Sequence, residues 1–207
     1  MTKLRLVTLA AALTFLGSGT LSAADTPKPP AEQVDMAQMM ERMKQFTSLG
    51  PEHDWLKRFL GEWDTETRIF MHGTEPQAEK GTAKIRWLID GRWLAMEGEG
   101  TMMGMPVRTF YIMGYDRMKM SFVTGGVHSL DNALLTSEGD IDPKTGALLT
   151  YGTLDEYLTG EHDKMVKYVW RFPDANTVRF EVHDLPIGEN NTKVVEITYK
   201  RKAGSTK

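Results

Sequence analysis

From Glu62 onward the chain breaks into short runs of alternating apolar and polar residues, with turn signals spaced too closely to admit a crossover. A parallel connection needs a dozen or more residues, so successive runs can pair only as antiparallel neighbours. Ten strands are predicted, beginning near Trp63, Lys80, Arg92, Pro106, Met118, Asn132, Ala147, Lys164, Thr177 and Thr192. Asp90-Gly91 suits a tight hairpin, Asp142-Pro143-Lys144-Thr145-Gly146 a longer one, and Gly188-Glu189-Asn190-Asn191 favours positive backbone angles. A meander of this length leaves two open edges unless it closes, and closure pairs every strand while sheltering one face. The expected fold is therefore mainly β: an up-and-down antiparallel β-barrel of about ten strands.

Alternation identifies the sheltered face. Val166, Tyr168, Trp170 and Phe172 oppose Met165, Lys167, Val169 and Arg171. Val178, Phe180 and Val182 oppose Arg179, Glu181 and His183, while Val195, Ile197 and Tyr199 oppose Glu196, Thr198 and Lys200. Ala83, Ile85, Trp87 and Ile89 form the matching series near the start of the barrel, with Lys84 and Arg86 opposite. A barrel of eight or more strands can hold a ligand among such side chains, or be filled by them. The candidate ligand-contacting residues are Trp87, Tyr168, Trp170, Phe180 and Tyr199.

The N-terminal region reads differently. Lys3 and Arg5 precede an uncharged, mostly apolar run from Leu6 to Leu16, and small residues lead to Ser22-Ala23-Ala24, the pattern of a cleavable secretory signal over residues 1–24. The apolar run is too short for a membrane span, which needs roughly 20 residues. Cleavage near Ala24 takes the net charge from −3 to −5 and implies a periplasmic or secreted protein. The absence of cysteine removes disulfides, thiolate metal sites and cysteine nucleophiles from consideration. An acidic balance without a concentrated basic face gives no footing for nucleic acid.

Residues 25–49 form an appendage: a linker stiffened by Pro27, Pro29 and Pro30, then a helix expected from Ala31 to about Phe46. Met36, Met39, Met40, Met43 and Phe46 make one stripe on that helix. Soft thioethers select Cu(I), so Met36, Met39, Met40 and Met43 are an alternative metal set. The same spacing provides an adaptable apolar face for the barrel, for a partner protein or for a second copy, through residues 31–46. A second short helix is expected at residues 51–60, closing one end of a barrel domain that spans residues 50–203. Trp55, Leu56, Phe59 and Leu60 share its face.

Gly50-Pro51-Glu52-His53, Trp55-Leu56, Gly61-Glu62-Trp63-Asp64, Gly91-Arg92-Trp93-Leu94, Gly114-Tyr115-Asp116, the Gly139-Asp140 turn region and Glu196-Ile197-Thr198-Tyr199-Lys200-Arg201 occur in order along the chain. This series resembles the bacterial family catalogued as domain of unknown function 1579. The resemblance implies a lipocalin-like, or calycin, barrel of unassigned activity. In such barrels a Gly-x-Trp on the first strand meets a basic residue from the last, which places Trp63 and Arg201 at the barrel floor in a structural role. The chain departs from the family pattern at Thr124 to Leu130.

No catalytic set is expected. His53-Asp54, His162-Asp163 and His183-Asp184 are adjacent pairs, and neighbours on a strand point to opposite faces, so His183 and Asp184 cannot orient one another. His128, Ser129 and Asp131 read as a Gly-rich rim loop, without the pattern that surrounds a nucleophilic serine. Haem ligation by one histidine would fall to His183, which alternation places on the solvent side. The motifs therefore imply no cofactor, Cu(I) on the methionine set being the alternative. The leading expectation is a barrel that binds a small apolar or amphipathic molecule. The alternatives are a docking protein acting through the Met-rich helix and a barrel enzyme for a hydrophobic substrate, which would need an inward ionisable pair.

Overall fold

A computed structural model describes residues 35–71, 75–156, 160–185 and 192–205. The expected export signal, the expected proline linker and the turn expected at Gly188–Asn191 lie outside the described residues. The chain forms two short helices, α1 (Met36–Thr47) and α2 (Pro51–Leu56), followed by a 3-10 turn at Lys57–Phe59. Ten strands follow: β1 (Gly61–Ile69), β2 (Ala78–Ile89), β3 (Trp93–Met102), β4 (Met105–Asp116), β5 (Ser121–His128), β6 (Leu135–Ile141), β7 (Leu148–Glu156), β8 (Glu161–Asp174), β9 (Thr177–Asp184) and β10 (Thr192–Arg201). Each pairs antiparallel with its sequence neighbours, and β1 closes the barrel against β10 through a register running from Trp63 opposite Arg201 to Ile69 opposite Val195.

The helical segment at residues 51–59 plugs one end. Gly50 enters it in an extended conformation and Pro51 sits in its first turn, where a missing N–H costs nothing. His53 Nδ1 accepts a hydrogen bond from the Gly50 N–H at 3.1 Å, so a buried histidine caps this helix. Leu56 and Phe59 are fully buried, and Trp55 meets Phe59, Phe122 and Phe172 edge-on at 5.3–5.4 Å. Edge-to-face pairs of this kind add about 0.5 to 1.5 kcal/mol each beyond the area they bury. Beneath the plug, Trp63 is fully buried and donates from Nε1 to the Phe59 carbonyl at 2.8 Å. The Arg201 guanidinium lies 4.0 Å above the Trp63 ring and donates to the carbonyls of Leu60 and Arg58. First strand, last strand and plug are thus tied at one point.

Three local expectations need correction. Ile89 is 54% exposed rather than inward, because the β2–β3 register slips between Trp87 and Ile89 and reverses the side-chain sense. Gly125, Gly126, Val127 and His128 are strand, not rim loop. Phe122, Thr124, Gly126 and His128 follow the period of two, and Gly126 is glycine because a Cβ there would lie 1.9 Å from Tyr111 Cδ1. Gly139-Asp140 likewise lies within β6, where a Cβ on Gly139 would strike the Leu149 carbonyl oxygen at 1.9 Å. As for α1, Asp35 caps its N-terminus, but none of its residues is buried, so its stripe does not pack on the barrel. Its C-terminal end is tethered by Arg92 to the Thr47 carbonyl and Arg117 to the Ser48 carbonyl.

Candidate functional site

Side chains fill the plugged end of the barrel but not the remainder. A cavity of about 290 Å³ begins above the floor at Trp170, Phe180 and Tyr199 and extends to Met102, Val107, His128 and Leu154 near the strand ends opposite the plug. Its room comes from small inward residues. Gly81, Ala83, Gly98 and Gly100 on β2 and β3, with Thr65, Thr67 and Thr109, carry the wall where larger side chains would meet in the middle. Gly81 and Gly100 stand so close that a Cβ on either would lie 3.1 Å from the other's Cα.

The β8–β10 arc supplies the aromatic surface. Trp170 and Phe180 pack with ring centroids 4.1 Å apart, Tyr168 stacks parallel to Phe180 at 6.0 Å, and Tyr199 approaches Trp170 at 6.1 Å. Tyr168, Trp170, Phe180 and Tyr199 are therefore brought together along one wall of the cavity. Trp87 is not with them. It packs against the core near the plugged end and borders a separate shallow recess with Leu60, Glu62 and Lys202. It sits near the end of β2 closest to the plug, four residues below Ala83, the last β2 residue to reach the cavity, so alternation placed it on the right face at the wrong height.

The polar part of the wall was not legible in the hydrophobic pattern. Thr124, Ser137 and Thr150, inward on β5, β6 and β7, form a hydroxyl ladder with spacings of 2.7 and 2.8 Å. Ser137 gives its single proton to Thr150, so Thr124 must donate to Ser137. That leaves the Thr124 oxygen as an acceptor beside the cavity. The phenols of Tyr111, Tyr168 and Tyr199 also line this space. Burial pushes Tyr111 and Tyr168 up to about 12 and raises Tyr199 as well, and Tyr111 interacts electrostatically with both of the others. The Tyr168 hydroxyl is buried and has no hydrogen-bond partner among the described residues.

His128 faces the cavity at its open end, which the rim-loop reading missed. Its Nδ1 accepts from the Leu130 N–H at 3.3 Å, which places the proton of the neutral ring on Nε2, 3.1 Å from Asp131 Oδ2. With both nitrogens engaged the ring has no free lone pair for a substrate proton, so this pair anchors the β5–β6 connection. Ser129 is pinned in the same way, its Oγ accepting from the Arg108 N–H at 2.9 Å. His183 sits on the outer surface beside Glu181, 3.3 Å away, and does not reach the cavity. His162, at the start of β8, pairs with Asp155 near the end of β7, both exposed. Among the described residues no three His, Asp or Glu side chains gather as metal ligands, and no helix is long and apolar enough to cross a membrane. Met36, Met39, Met40 and Met43 are 39–65% exposed along α1.

These features define a class: a meander barrel plugged at one end, hollow at the other, with an aromatic and hydroxyl-lined interior. Residues 48–201 match the family described as protein of unknown function DUF1579, and the chain belongs to that family. No curated protein matches the sequence. Among solved structures, Rv2717c from M. tuberculosis superposes with a TM-score of 0.51 at 9% identity, covering 75% of this chain and 99% of that one. The S-type phycobiliprotein lyase CPES from Guillardia theta gives 0.51 at 9% identity, covering 73% and 93%. At such identities the likeness is one of fold.

Proposed function

We propose that the protein binds a small apolar or amphipathic molecule inside the barrel. One observation carries the reading: the cavity of about 290 Å³, at the lower edge of the roughly 300 to 1,000 Å³ usual for small-molecule sites, lies against four mutually packed aromatic side chains and opens away from the plug. The likeness to a phycobiliprotein lyase supports the barrel as a scaffold, and the interior of this chain supports the ligand. Native mass spectrometry of protein from its own host, with displacement of a hydrophobic fluorescent probe, tests it. Bound small molecules and probe uptake are expected, both abolished by Ile197→Trp, which fills the lumen. A barrel that takes up no probe refutes the reading.

Two further readings accompany it. Export is supported by the charge, apolar run and small residues of the first 24 positions, and the intact mass of the mature protein, short by that segment, checks it. The exposed stripe of α1 supports docking to another chain. Removing residues 25–46 should abolish association without altering probe uptake, and unchanged association refutes docking.

A further inference from the structure

The interior also constrains the charge of what it holds. Along the cavity body the inward polar groups are hydroxyls: Tyr111, Tyr168, Tyr199, Thr124 and Ser137 among them. Two basic residues border the cavity: Lys80 alternates with the inward Gly81 on β2 and carries its side chain to the exposed outer face, and His128 is held by Asp131. Lys164 Nζ, on β8, lies 2.8 Å from Asp184 Oδ2. Glu97 and Glu99, which border the space, pair with Arg86 and Arg108 on the outside of the barrel.

Resting on the binding reading above, we infer that the deep end of the cavity selects an uncharged ligand, an apolar molecule carrying a carbonyl or similar hydrogen-bond acceptor, and discriminates against a free carboxylate. Two observations carry this. Three tyrosines, Tyr111, Tyr168 and Tyr199, border a largely apolar space, and the buried Tyr168 hydroxyl has no partner among the described residues. No uncommitted cation faces that level among the described residues, and a carboxylate withdrawn from water without one is strongly penalised. The upward displacement of the tyrosines is the same effect read from the protein's own side: an environment that resists phenolate resists any anion. The Tyr168 hydroxyl is itself closed to water, so an acceptor reaches it only when the side chain swings about its Cα–Cβ bond.

The test compares methyl hexyl ketone, n-octane and octanoate at neutral pH with the full-length protein and with Tyr168→Phe, read by tryptophan fluorescence, since Trp170 borders the cavity. The ketone is expected to bind at least about tenfold more tightly than octanoate. Tyr168→Phe should weaken ketone binding by roughly three- to tenfold, the equivalent of one hydrogen bond, while leaving octane unchanged. If all three bind, but octanoate matches the ketone or the variant leaves the ketone-to-octane ratio unaltered, this inference is overturned and the binding reading stands. If none of the three binds and no probe is taken up, the binding reading itself fails.

Discussion

Tyr168→Phe should make the ligand-free protein more stable. In the folded barrel the hydroxyl is shut away from water and has no partner among the described residues, so folding strips it of its hydration and returns nothing. That penalty is about 1 to 3 kcal/mol. Against it stand the contacts of a single oxygen atom, a handful at roughly 0.1 to 0.2 kcal/mol each. The ring itself keeps its stacking on Phe180. The balance is a gain of about 1 kcal/mol, which for a domain of this size raises Tm by roughly 2 to 4 °C. Urea unfolding of the variant should show a higher midpoint at an unchanged m-value, with calorimetry giving the Tm. A loss of 1 kcal/mol or more would show that the hydroxyl is bonded in solution, which refutes the reasoning. Stability gained together with weaker ketone binding would be the signature of a donor held in reserve for a ligand.

Four other outcomes are expected. Arg201→Lys keeps the charge but cannot reach the Leu60 and Arg58 carbonyls while covering Trp63, and should cost about 2 kcal/mol in denaturant unfolding. Gly126→Ala drives a methyl into the Tyr111 ring, so a loss of roughly 1 to 3 kcal/mol and an altered tyrosine near-UV CD signal should accompany it. His53 is held below its ordinary imidazole value, first by burial and also by Arg117 and Arg92, with Glu52 opposing. The unfolded chain therefore takes up this proton first, and the stability that His53 contributes is complete above about pH 6.5 and declines as pH falls through the folded value. Urea midpoints at pH 7.5 and 5.5, as about-neutral and mildly acid conditions, should differ less in His53→Asn, whose amide oxygen can still cap Gly50. Tyr111 and Tyr168, held up to about 12 by burial, work in the opposite sense. The unfolded chain loses these protons first, so stability is intact up to about pH 10 and falls as pH rises toward 12. An absorbance titration at 295 nm, roughly the phenolate band, reads the ionisation.

The ten-strand meander was readable because its information is local. Asp90-Gly91 and the Asp142–Gly146 segment dictate where the chain reverses, and alternation through Val166, Tyr168, Trp170 and Phe172 dictates which side turns inward. Where those signals were diluted, the reading slipped. Gly125-Gly126 looked like a loop because glycine is a turn residue, whereas here one glycine makes way for Tyr111 from the neighbouring strand. Trp87 reads as a ligand contact and Ile89 as an inward residue because period-two reasoning carries no height along the barrel and no knowledge of the slip beside Trp87.

Sequence alone thus determined the antiparallel order, the inner face of most strands and the aromatic surface of β8–β10, while the pairing of Trp63 with the last strand's arginine came from the family resemblance. Tertiary structure decided that the barrel is hollow rather than filled. A cavity is a difference between the circumference set by ten paired strands and the summed volume of side chains at each level, and the plug removes one end of that space. It also decided which hydroxyls bond to each other and which is left over. Thr124, Ser137 and Thr150 come from three strands, and only closure sets them in one ladder while leaving Tyr168 without a partner.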